Sequence, residues 1–237
     1  MAGAASHDGH QTEQAEAKYT NRIAQFVSGL RYDKIPEHVR QRIKLLILDS
    51  LGCGIYGAIK EHSKIATKGI TLVDNSKNCG VWGTDIRVSA PNAALLNGTF
   101  IQGFELDDIH RKGAMHVGST TLPAIVALSE VRSGMTGKDF LTAAVAGYEI
   151  GPRVGMTMGP FHLGQGWHSG ATVGAFAGAA ASASALKLTE AQTVDALGIA
   201  GTFAGGIMAV QYGSMVKRMN HGRSAQNGLT EIGRAHV

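Results

Sequence analysis

The sequence predicts an all-α fold built as one large helical domain. Apolar residues recur at helical spacing in several segments, beginning with residues 20–30. The next such segment opens on Pro36 followed by Glu37, a pairing that often starts helices. The run over residues 78–83 is the only convincing strand signal, and it is short and glycine-containing. With 237 residues and 44% hydrophobic composition, the chain can bury one large core.

Further helix starts follow in order along the chain. The segment after Pro36 carries apolar residues on one face, at Val39, Ile43, Leu46, Ile47 and Leu51. Ser89 with Pro91 starts the next helix, and another resumes in residues 121–133 after an interruption rich in charged and histidine side chains. Thr136 with Asp139 nearly matches a capping box, and Thr189 is a second predicted N-cap.

One predicted helix is unusually rich in small residues. Gly170, Gly174 and Gly178 recur every fourth residue, so they line one helical face with missing side chains. A helix of this kind packs backbone to backbone with its neighbours. It is therefore predicted to lie at the centre of the bundle.

The chain divides into three predicted parts. Residues 1–17 are predicted to be a disordered leader, residues 18–229 form the helical domain, and residues 230–237 are interpreted as an artefactual tail. The tail ends in "EIGRAHV", which back-translates to a sequence resembling a sequencing-library adapter. A genuine short paralogue is the alternative.

Composition excludes several classes of function. The net charge is +4, but the 22 Lys and Arg residues are dispersed, so the sequence does not predict nucleic-acid binding. A mild positive excess fits small anionic substrates equally well. Residues 154–186 form the longest uncharged run, yet they contain too much Gly, Ser and His for a membrane span, so no membrane association is predicted.

The two cysteines, Cys53 and Cys79, form no zinc or disulfide motif and suit a reducing compartment. The first residues lack the features of a secretory signal and carry acidic residues that a transit peptide avoids. A cytoplasmic location is predicted, with a mitochondrial one as the alternative for a eukaryotic source. The residues alone predict no metal site, because no spacing such as HExxH fixes a ligand geometry.

Titratable groups cluster in three places. The first is residues 105–116, with Glu105, Asp107, Asp108, His110 and His116 lying on a break between predicted helices. The second is His168 in "GQGWHSG", at the start of the glycine-rich helix, where unpaired N–H groups favour anions. The third is "MVKRMNHGR", which contains Lys217, Arg218, His221 and Arg223.

Each cluster alone has a structural interpretation. The acidic residues of 105–116 could be helix caps and solvated charge, and His168 could be a hydrogen-bonded interior histidine. The cations of the third cluster could be surface charge. Together they combine histidines that transfer protons near neutral pH with cations that bind carboxylates. An enzyme acting on a small polycarboxylate needs both. This combination favours catalysis over the structural interpretations.

Four segments, in order, resemble the MmgE/PrpD family, whose members include 2-methylcitrate dehydratase and cis-aconitate decarboxylase. They are "LDSLGCGIYGA", "ELDDIH" followed by "MHVGS", "GWHSGATVGAFAGAA" and "QYGSMVKRMNHGRSAQNGL". The resemblance implies a large helical domain followed or interrupted by a smaller α+β lid. It also implies a homodimer that uses no metal or organic cofactor. Most or all of the lid is expected to be missing from this chain.

The resemblance also implies site roles. It assigns His116 and His168 as catalytic histidines and Lys217 as a substrate-binding lysine. Glu105 lies where relatives have an acidic residue, and Asp108 and His110 belong to the same motif. The site prediction therefore takes His116, His168 and Asp108 as catalytic and Glu105, Lys217, Arg218 and His110 as substrate-binding. Ile109 replaces a threonine found in some decarboxylases.

The predicted function is a lyase that acts on a small polycarboxylate by general acid and base chemistry at histidine. Dehydration and decarboxylation both remain open, as does the assignment of acid and base between the two histidines. Two alternatives remain: an epimerase of an amino-dicarboxylate, and a truncated, non-catalytic helical dimerisation module.

Overall fold

The computed structural model describes the backbone of residues 8–235 and the side chains of residues 18–230. Within that range the fold is all-α, which confirms the predicted fold class. The helices are α1 (Asp8–Gly29), α2 (Glu37–Gly57), α3 (Glu61–Thr71), α4 (Ala90–Ile101), α5 (Gly118–Val131), α6 (Gly137–Gly164), α7 (Ser169–Ala185), α8 (Glu190–Phe203), α9 (Val210–Gly213) and α10 (Met219–Ala235). Short 3₁₀ turns cover Tyr32–Lys34, Gln102–Phe104 and Met215–Arg218.

The predicted strand signal corresponds to a minimal hairpin. Strand β1 (Cys79–Gly80) pairs antiparallel with β2 (Arg87–Val88), with Cys79 opposite Val88. Glu130 accepts hydrogen bonds from the Gly80 amide and the Arg87 side chain, which ties the hairpin to α5. The hairpin therefore covers one side of the helical bundle.

Local sequence signals set the predicted helix starts. Thr136 and Thr189 each form a complete capping box, with Asp139 and Gln192 as the third residues of α6 and α8. Ser89 is the N-cap of α4, as predicted, and a proline stands within the first helical positions. The Thr136 and Thr189 side chains satisfy backbone N–H groups that otherwise lack helical partners, whereas the Ser89 side chain makes no capping hydrogen bond.

Helix α7 lies at the centre of the bundle, as its glycines predicted. A side chain at Gly174 would meet Thr120 of α5 and Ser224 of α10. A side chain at Gly178 would approach the backbone of Gly228 on α10. Helix α10 also approaches α4 closely, because a side chain at Gly222 would strike the carbonyl oxygen of Leu95.

Two boundaries differ from the sequence prediction. Helix α1 begins at Asp8, within the predicted leader, so only residues 1–7 of that leader lie outside the described residues. The helix formers Ala, Glu and Gln in residues 11–17 explain the earlier start. Helix α6 continues to Gly164 across a kink at Gly159, where φ is 55°. Helix α10 runs through the predicted tail as far as Ala235.

Helix α2 exposes an apolar stripe formed by Leu45, Leu48 and Ile55, and the exposed Ile59 follows just after the helix. Exposed apolar faces of this kind often contact another protein surface. The homodimer implied by the resemblance stays a prediction. Among the described residues, no helix is long and apolar enough to span a membrane.

Candidate active site

Three segments that are far apart in sequence converge on one cavity. The loop after the 3₁₀ turn Gln102–Phe104 brings Glu105 and His116, and His168 is the N-cap of α7. The 3₁₀ turn Met215–Arg218 and the first turn of α10 bring Lys217, Arg218 and His221. The packing of α10 against α4 and α7 therefore joins the third predicted cluster to the other two.

Glu105 is the centre of an ion cluster. Its Oε1 atom accepts hydrogen bonds from Lys217 and Arg218, and from Gln102 Nε2 at 2.8 Å. Its Oε2 atom lies 3.4 Å from His116 Nε2. The hydrogen bond from His116, assisted by Lys217, holds the pKa of Glu105 well below its usual range. Glu105 is therefore ionised and keeps both cations directed to one point.

The Glu105 backbone adopts a left-handed conformation, with φ at 60°. Residues other than Gly, Asn and Asp seldom occupy this region, because Cβ approaches the backbone. The surrounding ion pairs must therefore hold this geometry, which points the carboxylate toward Lys217 and Arg218.

His116 is held between two carboxylates. Its Nδ1 atom lies 3.1 Å from Oδ1 of Asp107, whose side chain is fully buried. Burial by itself would lower the pKa of His116, but Asp107 and Glu105 outweigh that effect and raise this pKa to about 9. His116 is therefore an imidazolium at neutral pH, with a proton available for transfer.

His168 and His221 have the opposite electrostatic character. The His221 ring lies edge to face with His116 and His168, with ring centroids 5.3 Å and 5.1 Å apart. Burial, followed by the charge of Lys217, lowers the pKa of His168 to about 4. Burial also lowers the pKa of His221 well below its ordinary value. The site thus combines one protonated histidine with two neutral ones.

These groups line a cavity of about 600 Å³, within the usual range for small-molecule sites. Its charged and histidine lining comprises Glu105, His116, His168, Lys217, Arg218 and His221, with Arg111 beside them. Ile109 also lines the cavity and is 56% exposed, so an apolar side chain stands where some relatives are expected to offer a hydroxyl.

Two predicted site residues do not line this cavity. Asp108 Oδ1 accepts hydrogen bonds from the Gly118 amide (3.0 Å) and the Tyr148 hydroxyl (3.2 Å), so it fixes the start of α5. Burial, followed by the charge of Asp107, raises the pKa of Asp108 to about 6. His110 Nδ1 accepts from the Gly113 amide at 3.0 Å. The structure therefore places both residues as supports of the loop that carries His116.

Sequence reasoning did not select Asp107 or His221 as site residues. His221 lies four residues after Lys217, a spacing that places two side chains on the same side of a helical segment, and this was the available signal. No comparable signal separates Asp107 from Asp108. Among the described side chains, no group of three or more His, Cys, Asp and Glu residues is arranged to hold a metal ion.

The proton on His116 gives a testable pH dependence. Its C2 proton is expected to titrate in NMR spectra at about pH 9, and Asp107→Asn should move this titration toward the ordinary value of 6.5. Because the folded pKa is raised, the stability that His116 contributes is complete below pH 6.5 and lost as pH rises through about 9. Asp195→Asn, an exposed carboxylate of α8, is the matched control and should leave the titration unchanged.

The amino-acid sequence that forms this cavity can be compared with known proteins. The profile of the MmgE/PrpD N-terminal domain matches residues 21–236. The chain is 44% identical over 221 residues to "Cis-aconitate decarboxylase-like protein oryM" of Aspergillus oryzae, covering 90% of this chain and 46% of that protein. It is 42% identical over 220 residues to cis-aconitate decarboxylase of Aspergillus terreus, covering 91% and 45%.

Similarity extends to the human protein named cis-aconitate decarboxylase, at 31% identity over 215 residues, covering 89% of this chain and 44% of that protein. The chain thus spans about half the length of the curated relatives it matches. The profile match covers the helical bundle and every residue that lines the cavity. The chain belongs to the MmgE/PrpD family and carries its N-terminal domain.

Proposed function

We propose that this chain forms the helical half of a lyase that decarboxylates cis-aconitate or a closely related tricarboxylate. The observation that carries the proposal is the convergence of a protonated His116 and the Lys217–Arg218 pair on one 600 Å³ cavity. The names of the relatives favour decarboxylation over the dehydration and epimerisation that the family resemblance left open.

Lys217 and Arg218 form the carboxylate-binding side of the site. Guanidinium and ammonium groups bind carboxylates through charge-assisted hydrogen bonds, which are stronger than neutral ones. Lys217 is only 8% exposed, so its charge is poorly screened by solvent. A substrate carboxylate binding here shares both cations with Glu105.

Decarboxylation of cis-aconitate requires a proton donor. When the bond from the methylene carbon to its carboxylate breaks, CO₂ leaves and the bonding electrons form a new C=C bond to the central carbon. The former π electrons move to the far alkene carbon, next to another carboxylate. That carbon takes one proton, which yields methylenesuccinate (itaconate).

His116 is the proposed proton donor. Its Nε2 atom faces Glu105 at the cavity, and the buried Asp107 beside Nδ1 keeps the ring protonated. Positioned acids typically accelerate such steps about 10²–10⁴-fold. Lys217 and Arg218 stabilise the charge that develops on the substrate. The neutral His168 also lines the cavity, where it can hydrogen-bond a second carboxylate.

Product analysis tests the proposal. A chimera joins residues 1–229 to the part of the Aspergillus terreus decarboxylase that lies beyond the aligned region, and is incubated with cis-aconitate, citrate and 2-methylcitrate. We expect proton NMR to show the two vinylic protons of itaconate from cis-aconitate alone. Formation of cis-aconitate from citrate, or of 2-methylaconitate from 2-methylcitrate, would instead indicate a dehydratase.

A matched pair of variants connects turnover to the site. His116→Gln in the chimera should lose most of its turnover, whereas His38→Gln, at an exposed position of α2, should retain it. If a folded chimera converts none of the three acids, or if both variants behave alike, the proposed function is wrong.

A further inference from the structure

His221 is the most deeply buried of the three histidines at the cavity. It is 1% exposed, compared with 6% for His168, and it still lines the cavity. Neither of its ring nitrogens has a hydrogen-bond partner among the residues that the structure describes. An unsatisfied buried polar group destabilises the folded state, so a residue that served only for packing would more favourably be apolar.

The fold makes space for this ring at one specific position. Gly170, in the first turn of α7, faces His221, and any side chain there would overlap the imidazole. Gly170 also lines the cavity. The close approach of α10 to α7 thus places the ring at the cavity wall.

The groups around His221 define its chemical state. His168 from the start of α7, His116 from the loop before α5, Lys217 from the preceding 3₁₀ turn and Glu105 act on it electrostatically. Apart from Glu105, these neighbours disfavour a second positive charge. His221 is therefore a neutral imidazole, with one N–H donor and one acceptor nitrogen.

We propose that His221 is a third substrate-contacting histidine, whose ring N–H donates a hydrogen bond to a carboxylate of the bound polycarboxylate. The proposal rests on the proposed function, because it requires a polycarboxylate in this cavity. A neutral donor adds a hydrogen bond without adding charge between His116 and Lys217. Lys217 and Arg218 already donate hydrogen bonds to Glu105, so their capacity to bind the substrate is partly used. His221 thereby supplies an additional contact to the substrate.

The test uses the chain itself and propane-1,2,3-tricarboxylate (tricarballylate), a saturated analogue that lacks the double bond of cis-aconitate. Long-range ¹H–¹⁵N NMR spectra of histidine-labelled protein follow each imidazole during titration, and His221→Phe assigns the His221 signals. We expect the His221 nitrogen resonances to shift on binding. Calorimetry should show at least about tenfold weaker binding by His221→Phe, the loss expected for a hydrogen bond to a charged acceptor.

Two further variants separate contact from packing. His221→Asn retains an N–H donor and should bind more tightly than His221→Phe, whereas Gly170→Ala displaces the ring and should weaken binding although the imidazole remains. His162→Phe is the control, because His162 contacts Thr172 outside the cavity lining and should bind normally.

The outcomes are distinguishable. If tricarballylate binds and shifts His116 but leaves the His221 nitrogens unmoved, or if folded His221→Phe binds as tightly as the wild type, the proposal is overturned. If the wild-type chain does not bind tricarballylate at all, the His221 proposal is overturned and the proposed function loses its polycarboxylate site as well.

Discussion

Lys217→Met is expected to weaken binding of tricarballylate by about 10- to 100-fold, because a hydrogen bond to a charged group typically contributes about 1.5–3 kcal/mol. Methionine retains the length and apolar stem of lysine but removes the ammonium group. Lys217 is nearly buried and is paired with Glu105. Water therefore cannot readily take the place of the lost ammonium group. Isothermal titration calorimetry on the wild-type and variant chains measures the loss.

The matched control is Lys187→Met. Lys187 pairs with Asp139 on the surface, and its side chain is 71% exposed. Such surface pairs contribute little, so this variant should bind the ligand like the wild type. Equal affinity of all three proteins would show that Lys217 does not contact the ligand, and would remove the cation on which the proposed site depends.

Gly222→Ala is expected to lower the free energy of unfolding by about 1–3 kcal/mol, the range for overpacked cores. The added methyl group would overlap the carbonyl oxygen of Leu95, which belongs to the backbone of α4 and cannot rotate away. Helices α4 and α10 would have to separate. Urea denaturation followed by circular dichroism measures the change.

The same substitution at Gly69 should have the opposite sign. Gly69 lies in α3, is exposed, and would place its new methyl group in open space. Alanine there is expected to stabilise the protein by up to about 1 kcal/mol, because it favours the helix. If both alanine variants gained stability, the close contact between α4 and α10 would be wrong.

The sequence alone determined most of the helical architecture. Helix starts were readable because capping is local: Thr136 and Thr189 form boxes with residues only three positions away. The central location of α7 was readable from its repeated glycines, since a stripe without side chains requires a close neighbour. The start of α1 was misplaced, because its first residues lack the apolar periodicity that identifies helices packed on a core.

The sequence also identified, mainly through four family motifs, five residues that the structure brings together: Glu105, His116, His168, Lys217 and Arg218. Histidines that transfer protons and cations that bind carboxylates suit one site for a small polycarboxylate. Their location in a single site could therefore be predicted before their distances were known. Asp108 and His110 come from the same motif, yet they support the loop.

Only the tertiary structure decided which neighbours in the acidic motif face His116 and which protonation states the histidines adopt. Asp107 and Asp108 are identical residues in adjacent positions, and the path of the loop alone directs the first to His116 and the second to the start of α5. Likewise, His116 and His221 have the same side chain but opposite pKa shifts. Burial and nearby charges set those shifts. The charges beside His116 are Asp107 and Glu105 of its own loop, whereas His221 is buried against His168 and His116, which are distant in sequence. The path of a loop and the packing of distant helices decide these contacts, and local sequence patterns encode neither.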